Sequence, residues 1–289
     1  MKTSLPLFLD FHSVISELES RMREDAQKIH TEKWQGVWIA GRPEAAMHEI
    51  LFPAFRVPLA IYGENLKTLA GDIRPNLPWA DEHFEQERVG GQPLNPGETW
   101  MRWPWGQSAA KFRGTDNEFT HTYAERYWPR FAGHFPGGIL PKEATTYRTN
   151  QGIRYAYGDL NDVVDLLTTQ PLTRQAYLPI FFPEDTGAVH GGRIPCSLGY
   201  HFLCRENKLH ITYQLRSCDL YRHLRDDIYL TVRLLLWVLQ RLRKSRTQTF
   251  WSTVIPGDFC MLIGSLHIFV NDLRALNAGG DGHSLPKGV

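Results

Sequence analysis

Val14, Ile15, Leu18, Met22, Ala26 and Ile29 recur at three- and four-residue steps, with Glu17, Glu19, Arg21, Arg23 and Glu24 between them. That spacing gathers the apolar side chains into one stripe and predicts an amphipathic first helix. Pro43 suits the first turn of a second helix, which Met47, Ile50 and Leu51 would continue, carrying Glu49, until Pro53 breaks it. From about 71 to 138 the chain is rich in Pro, Gly and Trp and keeps neither period, with Trp100, Trp103 and Trp105 close together. It reads as a loop-rich insertion around a site.

Asp159 is placed to cap a helix bearing Leu160, Val163, Val164, Leu166 and Leu167, and Pro171 marks its end. Residues 174–182 are strand-like, and Pro179 consigns them to an edge. A hairpin follows: Tyr200, Phe202 and Cys204 alternate, Glu206, Asn207 and Lys208 turn the chain, and Leu209, Ile211, Tyr213 and Leu215 alternate on the return. Ile228, Val232, Leu235, Leu236, Leu239 and Leu242 then form a strong helical stripe, with Asp226 and Asp227 at its start and Arg241, Arg243, Lys244 and Arg246 at its end, as the macrodipole favours. A last strand is expected over 266–270. With no repeat or linker, the pattern predicts one α+β domain spanning 1–289.

Composition narrows the function classes. The 289 residues are 42% hydrophobic, enough for a substantial core. A net charge of +1 argues against a nucleic-acid-binding surface, which carries a basic excess. No run approaches the roughly 18 apolar residues of a membrane span. The apolar start is interrupted by Pro6, Asp10 and His12 with no small-residue cleavage site after it, so a cytoplasmic chain is expected. Four cysteines without CxxC spacing indicate neither a zinc nor a dithiol site, and no metal is expected.

Several residues are candidates for chemistry. Cys196 follows Pro195 and a loop containing Gly187, Gly191 and Gly192. A thiol at such a junction is accessible, and a nearby cation favours its thiolate; a lone cysteine is also a common small core residue. Arg216 and Ser217 combine a guanidinium fork with a hydroxyl, suited to a phosphate monoester or to a surface ion pair. Arg174 offers similar chemistry. Glu49 is either a solvent-facing or a site carboxylate, Asp227 a helix N-terminal acid or a functional one, and His267 a satisfied interior imidazole or a ligand contact.

The order of these residues resembles a known family. Thr173-Arg174-Gln175, Pro195-Cys196, Arg216-Ser217-Cys218-Asp219 and His267 together are similar to the thymidylate synthase and deoxycytidylate hydroxymethylase family, whose Arg-Ser-x-Asp motif follows its Pro-Cys nucleophile. The resemblance implies a large bent mixed sheet flanked by helices, with one sheet face forming a homodimer interface. It also implies a pyrimidine nucleotide substrate and 5,10-methylenetetrahydrofolate as co-substrate. Cys196 would add to C6 of the pyrimidine, Arg216 and Ser217 would hold its 5′-phosphate, Arg174 would reach that phosphate from the neighbouring subunit, and Asp219 would lie towards the folate. His48-Glu49-Ile50-Leu51 matches the segment bearing the catalytic glutamate, and Tyr123-Ala124-Glu125-Arg126 resembles the family's Tyr-Gly segment near the nucleophile.

Departures from the family pattern carry information. Asp227 falls where thymidylate synthases have the asparagine that reads uracil. Cytosine presents a donor at N4 and an acceptor at N3, and a protonated carboxyl matches that inverted pattern. Cytidylate hydroxymethylases carry aspartate there, and their Gly-Ser-Leu-His-Val-Tyr segment is similar to residues 264–269, with Phe269 in place of the tyrosine that helps hold the sugar and Ser197 where many synthases have histidine. The short chain after His267 leads to the expectation of hydroxymethylation of dCMP or CMP. Reductive methylation, a uridylate enzyme whose base reader is Asp226 or another group, and a silent nucleotide- or RNA-binding relative using the basic run at 241–246 are the alternatives.

Overall fold

The computed structural model describes residues 5–34, 37–91, 95–110, 113–114, 117–129, 158–186 and 194–280. Its strands are β1 (Gln27–Ile29), β2 (Lys33–Trp34), β3 (Val37–Trp38), β4 (Met47–Leu51), β5 (Ala54–Pro58), β6 (Tyr177–Pro179), β7 (Ser197–Arg205), β8 (Lys208–Asp219) and β9 (Ile255–Phe269). Its helices are α1 (Phe11–Glu24), α2 (Leu66–Ile73), α3 (Trp79–Glu82), α4 (Gly106–Ala110), α5 (Tyr123–Tyr127), α6 (Leu160–Thr169), α7 (Leu224–Arg243), α8 (Gln248–Trp251) and α9 (Val270–Asn277). A seven-stranded mixed sheet runs β1-β4-β9-β8-β7-β6, with β5 on the same side of β9 as β4, and helices flank it. This is the α+β architecture anticipated from the sequence.

The hairpin is as expected. Glu206 and Asn207 adopt φ of 51° and 54°, the paired positive values that suit a two-residue turn to the twist of β7 and β8. From β8 the chain crosses through α7 to the parallel strand β9. Such a crossover needs a helix-length connection, and α7 supplies it. Ile228, Leu230, Val232, Leu234, Leu235, Val238 and Leu239 are all buried, so α7 is covered nearly all round and anchors the core. α6 carries the expected cap: Asp159 accepts from the Asn161 and Asp162 amides while Asp162 accepts from the Asp159 amide at 3.0 Å. β6 lies at the sheet edge, as Pro179 requires, and covers only three of the residues in 174–182.

Four expectations are corrected. The first helix ends at Glu24, and Ile29 belongs to β1. The segment 43–53 is one 3-10 turn, Pro43–Ala45, followed by β4, so Glu49 lies on a strand and not on a helix. Leu51 is 53% exposed, so the apparent three- and four-residue stripe does not face one interior. A short apolar run is ambiguous by spacing alone, and here pairing with β1 and β9 satisfies its backbone. The last strand begins at Ile255 rather than 266, because Pro256, Gly257 and Gly264 punctuate it without ending it, and Val270 already starts α9. The stretch from 71 to 129 holds short helical turns, including a π-helix at His83–Arg88, while 130–138 lies outside the described residues, as do Gly187, Gly191 and Gly192.

Candidate active site

The end of β8 lies beside the start of β7, and there Arg216 meets Cys196. The Arg216 amide donates to the Cys196 carbonyl at 2.9 Å, its Nε to the Pro195 carbonyl at 2.8 Å and its Nη2 to the Ile194 carbonyl at 3.1 Å. Nη2 is also 3.8 Å from the half-buried Cys196 Sγ. A guanidinium at that separation stabilises a thiolate. Arg216 and Cys196 both line one cavity, whose volume is about 500 Å³.

One residue along β8, Ser217 Oγ stands 3.2 Å from His267 Nδ1 on β9. Burial drives the His267 imidazole down to about 4, against the opposing pull of Glu49, so the ring is neutral at physiological pH. Glu49 sits opposite His267 in the β4–β9 ladder and accepts a short hydrogen bond from Ser265 Oγ. All four side chains line the cavity.

Asp227, on the first turn of α7, also lines the cavity. Burial raises its carboxyl to about 7, with Arg88 opposing the rise and Asp226 adding to it. The Cys218 thiol, kept protonated by burial, approaches Asp227 Oδ2 at 3.7 Å. The neighbouring Asp226 is engaged elsewhere. Its carboxylate accepts from the Asn76 amide and Nδ2, both at 2.8 Å, and from Trp103 Nε1 at 3.3 Å. A carboxylate committed to three donors is a poor base reader, which disfavours the alternative built on Asp226.

Tyr123 heads α5, and its hydroxyl accepts from the Ser197 amide at 3.4 Å, next to the thiol. Ser197 itself is buried and donates to Tyr213. Asp219 is buried and lines the cavity; it accepts from the Tyr221 and Arg222 amides at 3.0 Å. Burial raises its carboxyl while Arg222 opposes the rise. Phe269 is not on the cavity wall; it is buried against the Arg222 guanidinium and packs edge-on to His267 at 6.0 Å. Arg174 is exposed before β6 and lies outside the cavity of its own chain. In the basic run, Arg243 pairs with Glu64 and Arg241 covers Trp237, an arrangement that fits a solvated helix end.

Sequence reasoning misses another part of the cavity wall. Trp79 stacks on His83 at 4.9 Å, and Trp103 stacks on His223 at 4.7 Å. Arg88, only 4% exposed, donates from Nε to His83 Nε2 at 3.0 Å. The one signal in the sequence is spacing: Glu87 and Arg88 follow His83 by four and five residues, and a π-helix gathers both beside it. An α-helical period would swing Arg88 away.

Comparison with models of known protein families gives no match, and neither does comparison with curated protein sequences. Among solved structures, the chain is similar to a thermostable thymidylate synthase A from Bacillus subtilis, at a TM-score of 0.60 and 12% identity, over 93% of this chain and 83% of that one. A mixed sheet whose parallel β8–β9 pair sets a guanidinium, a hydroxyl and an imidazole beside the thiol that precedes β7 thus belongs to a known architecture. The chain has the thymidylate synthase fold. Among the described residues no helix is long and apolar enough to cross a membrane.

Proposed function

We propose that this chain is a single-domain pyrimidine nucleotide C5 one-carbon transferase that hydroxymethylates cytidylate, dCMP or CMP, with 5,10-methylenetetrahydrofolate. The observation that carries the reading is that Cys196, Arg216, Ser217, Asp227, Glu49 and His267 converge on one cavity. Arg216 and Ser217 take the 5′-phosphate, and neutral His267 takes a sugar hydroxyl. Cys196 thiolate, beside Arg216, adds to C6 of the ring. The electron pair moves through C5 and C4 to N3, which receives the Asp227 proton, while the other Asp227 oxygen accepts from N4. This leaves C5 nucleophilic.

The co-substrate supplies the one-carbon unit that C5 takes up. Trp79, Trp103 and His223 form an aromatic wall that fits its fused ring, and Asp219 lies on the same cavity. Glu49, held by Ser265, and Tyr123 are placed to move the C5 proton. As the C5 proton leaves, the bond from the transferred carbon to the folate nitrogen breaks and tetrahydrofolate departs, leaving an exocyclic methylene; water adds to it, N3 returns its proton to Asp227, and expulsion of the Cys196 thiolate restores the ring. Arg174 is assigned to the phosphate of a partner subunit in a homodimer, supported by its exposure outside the cavity and by the partly exposed Leu203, Thr212, Gln214 and Leu262 on the outer sheet face.

The test is incubation with methylenetetrahydrofolate and each of dCMP, CMP, dUMP and UMP, read by product mass. The reading expects one hydroxymethyl group on a cytidylate without the absorbance of dihydrofolate. A methylated product, or reaction of uridylates alone, would overturn it.

A further inference from the structure

Arg88 is a buried cation with no carboxylate at ion-pair distance among the described residues. Burying a guanidinium costs several kcal/mol unless its charge is met elsewhere. Part of the compensation is local. Its face covers the Tyr123 ring at 4.9 Å, Nη1 donates to Tyr127 Oη at 3.4 Å, and Nε donates to His83. Because His83 Nε2 accepts, its proton sits on Nδ1, which donates to Glu87 Oε2 at 2.8 Å. Glu87 Oε1 accepts the Thr99 amide at 2.8 Å, and a Cβ at Gly97 would collide with the Glu87 carboxylate. The π-helix and this glycine therefore hold Arg88 in place, yet Nη2 makes no hydrogen bond to a described residue and the side chain lines the cavity shared with Asp227.

We propose that Arg88 is the counter-ion of the base-reading acid, stabilising the Asp227 carboxylate that remains when thiolate addition at C6 draws the Asp227 proton onto N3. The inference rests on the function proposed above. In that step the C6–S bond forms, the ring π pair shifts to N3, N3 gains the proton, and the negative charge that began on sulfur ends on Asp227. A guanidinium across the cavity neutralises it. Its positive charge already opposes the rise of the Asp227 carboxyl in the resting site, and His83 and Glu87 act as positioning residues for it.

The decisive measurement is exchange of the C5 hydrogen of each nucleotide for deuterium in heavy water, which reports thiolate addition without the folate. In the wild-type protein the exchange rate falls as pH rises through the Asp227 titration. In Arg88→Gln the fall moves to higher pH by about one pH unit or more, and Arg88→Lys, which keeps the charge, returns it towards the wild-type position. A folded Arg88→Gln protein with an unmoved limb overturns the inference alone. Wild-type protein that exchanges none of the four nucleotides overturns both the inference and the function beneath it. If Arg88→Gln fails to fold, the double variant with Asp227→Asn decides: recovered folding supports the charge pairing, and no recovery overturns it.

Discussion

Arg216 Nη2 lies 3.8 Å from Cys196 Sγ while the carbonyl oxygens of Pro195 and Ile194 fix the same guanidinium. The cation is thus set by the backbone that carries the thiol, and the two keep their relation without a ligand.

Replacing Cys196 with Ser removes the nucleophile and leaves the phosphate and sugar contacts in place. Turnover should fall by at least about a thousandfold, with nucleotide affinity changed by less than about threefold. Calorimetric titration beside single-turnover kinetics separates the two; ordinary activity in the variant would mean that another group attacks the ring.

Asp227→Asn exchanges a carboxyl for an amide on the wall facing the base. Preference should move from cytidylates to uridylates by about tenfold or more, at about one to three kcal/mol for a reversed hydrogen-bond pattern. Competition between paired nucleotides measures the ratio, and an unchanged ratio removes Asp227 as the base reader.

The same carboxyl links stability to pH. Its folded value of about 7 lies above the ordinary value near 3.8, so the folded chain holds this proton more tightly than the unfolded one. Its contribution is therefore fully present below about pH 4 and is lost as pH rises to about 7, amounting to a few kcal/mol. Urea unfolding at about pH 5 and about pH 8 should show a smaller pH-dependent loss in Asp227→Asn than in the wild type. Parallel losses in the two proteins would contradict the buried, raised carboxyl.

At Gly264 an added Cβ would meet the Arg216 carbonyl oxygen at 2.7 Å. That neighbour is backbone, so Gly264→Ala must shift β9 away from β8 and pull Ser217 from His267. Loss of at least about tenfold in nucleotide affinity is expected, with a destabilisation of about 1–3 kcal/mol. Binding and melting curves check both, and unaltered affinity would show that the ladder absorbs the methyl group elsewhere.

Asp159→Ala before α6, far from the chemistry, removes the side-chain acceptor of the Asn161 and Asp162 amides, leaves the Asp159 amide bonded to Asp162, and should cost about 1 kcal/mol, visible in the unfolding midpoint with activity preserved.

The strongly periodic parts of the chain are legible without coordinates. The β7–β8 hairpin, α6 and α7 each carry an unbroken period together with a turn or cap signal, and the thiol, guanidinium and hydroxyl lie on or beside them. β4 is hidden because its five residues are too few to distinguish the periods, and only pairing with β9 brings Glu49 opposite His267 and within reach of Ser265. The Arg88 wall escapes for a different reason. Its residues are brought together by a widened helical turn, which has no signature in apolar spacing.

Anion clamp and imidazole hang from neighbouring rungs of one ladder with the nucleophile at its end, and sliding β8 by a single rung would turn Arg216 and Cys218 to the opposite side. The cavity wall between 79 and 124 is pieced together from brief helical turns that no such register constrains. Machinery and upholstery are thereby decoupled: that wall is free to be retailored while sulfur and cation stay in step.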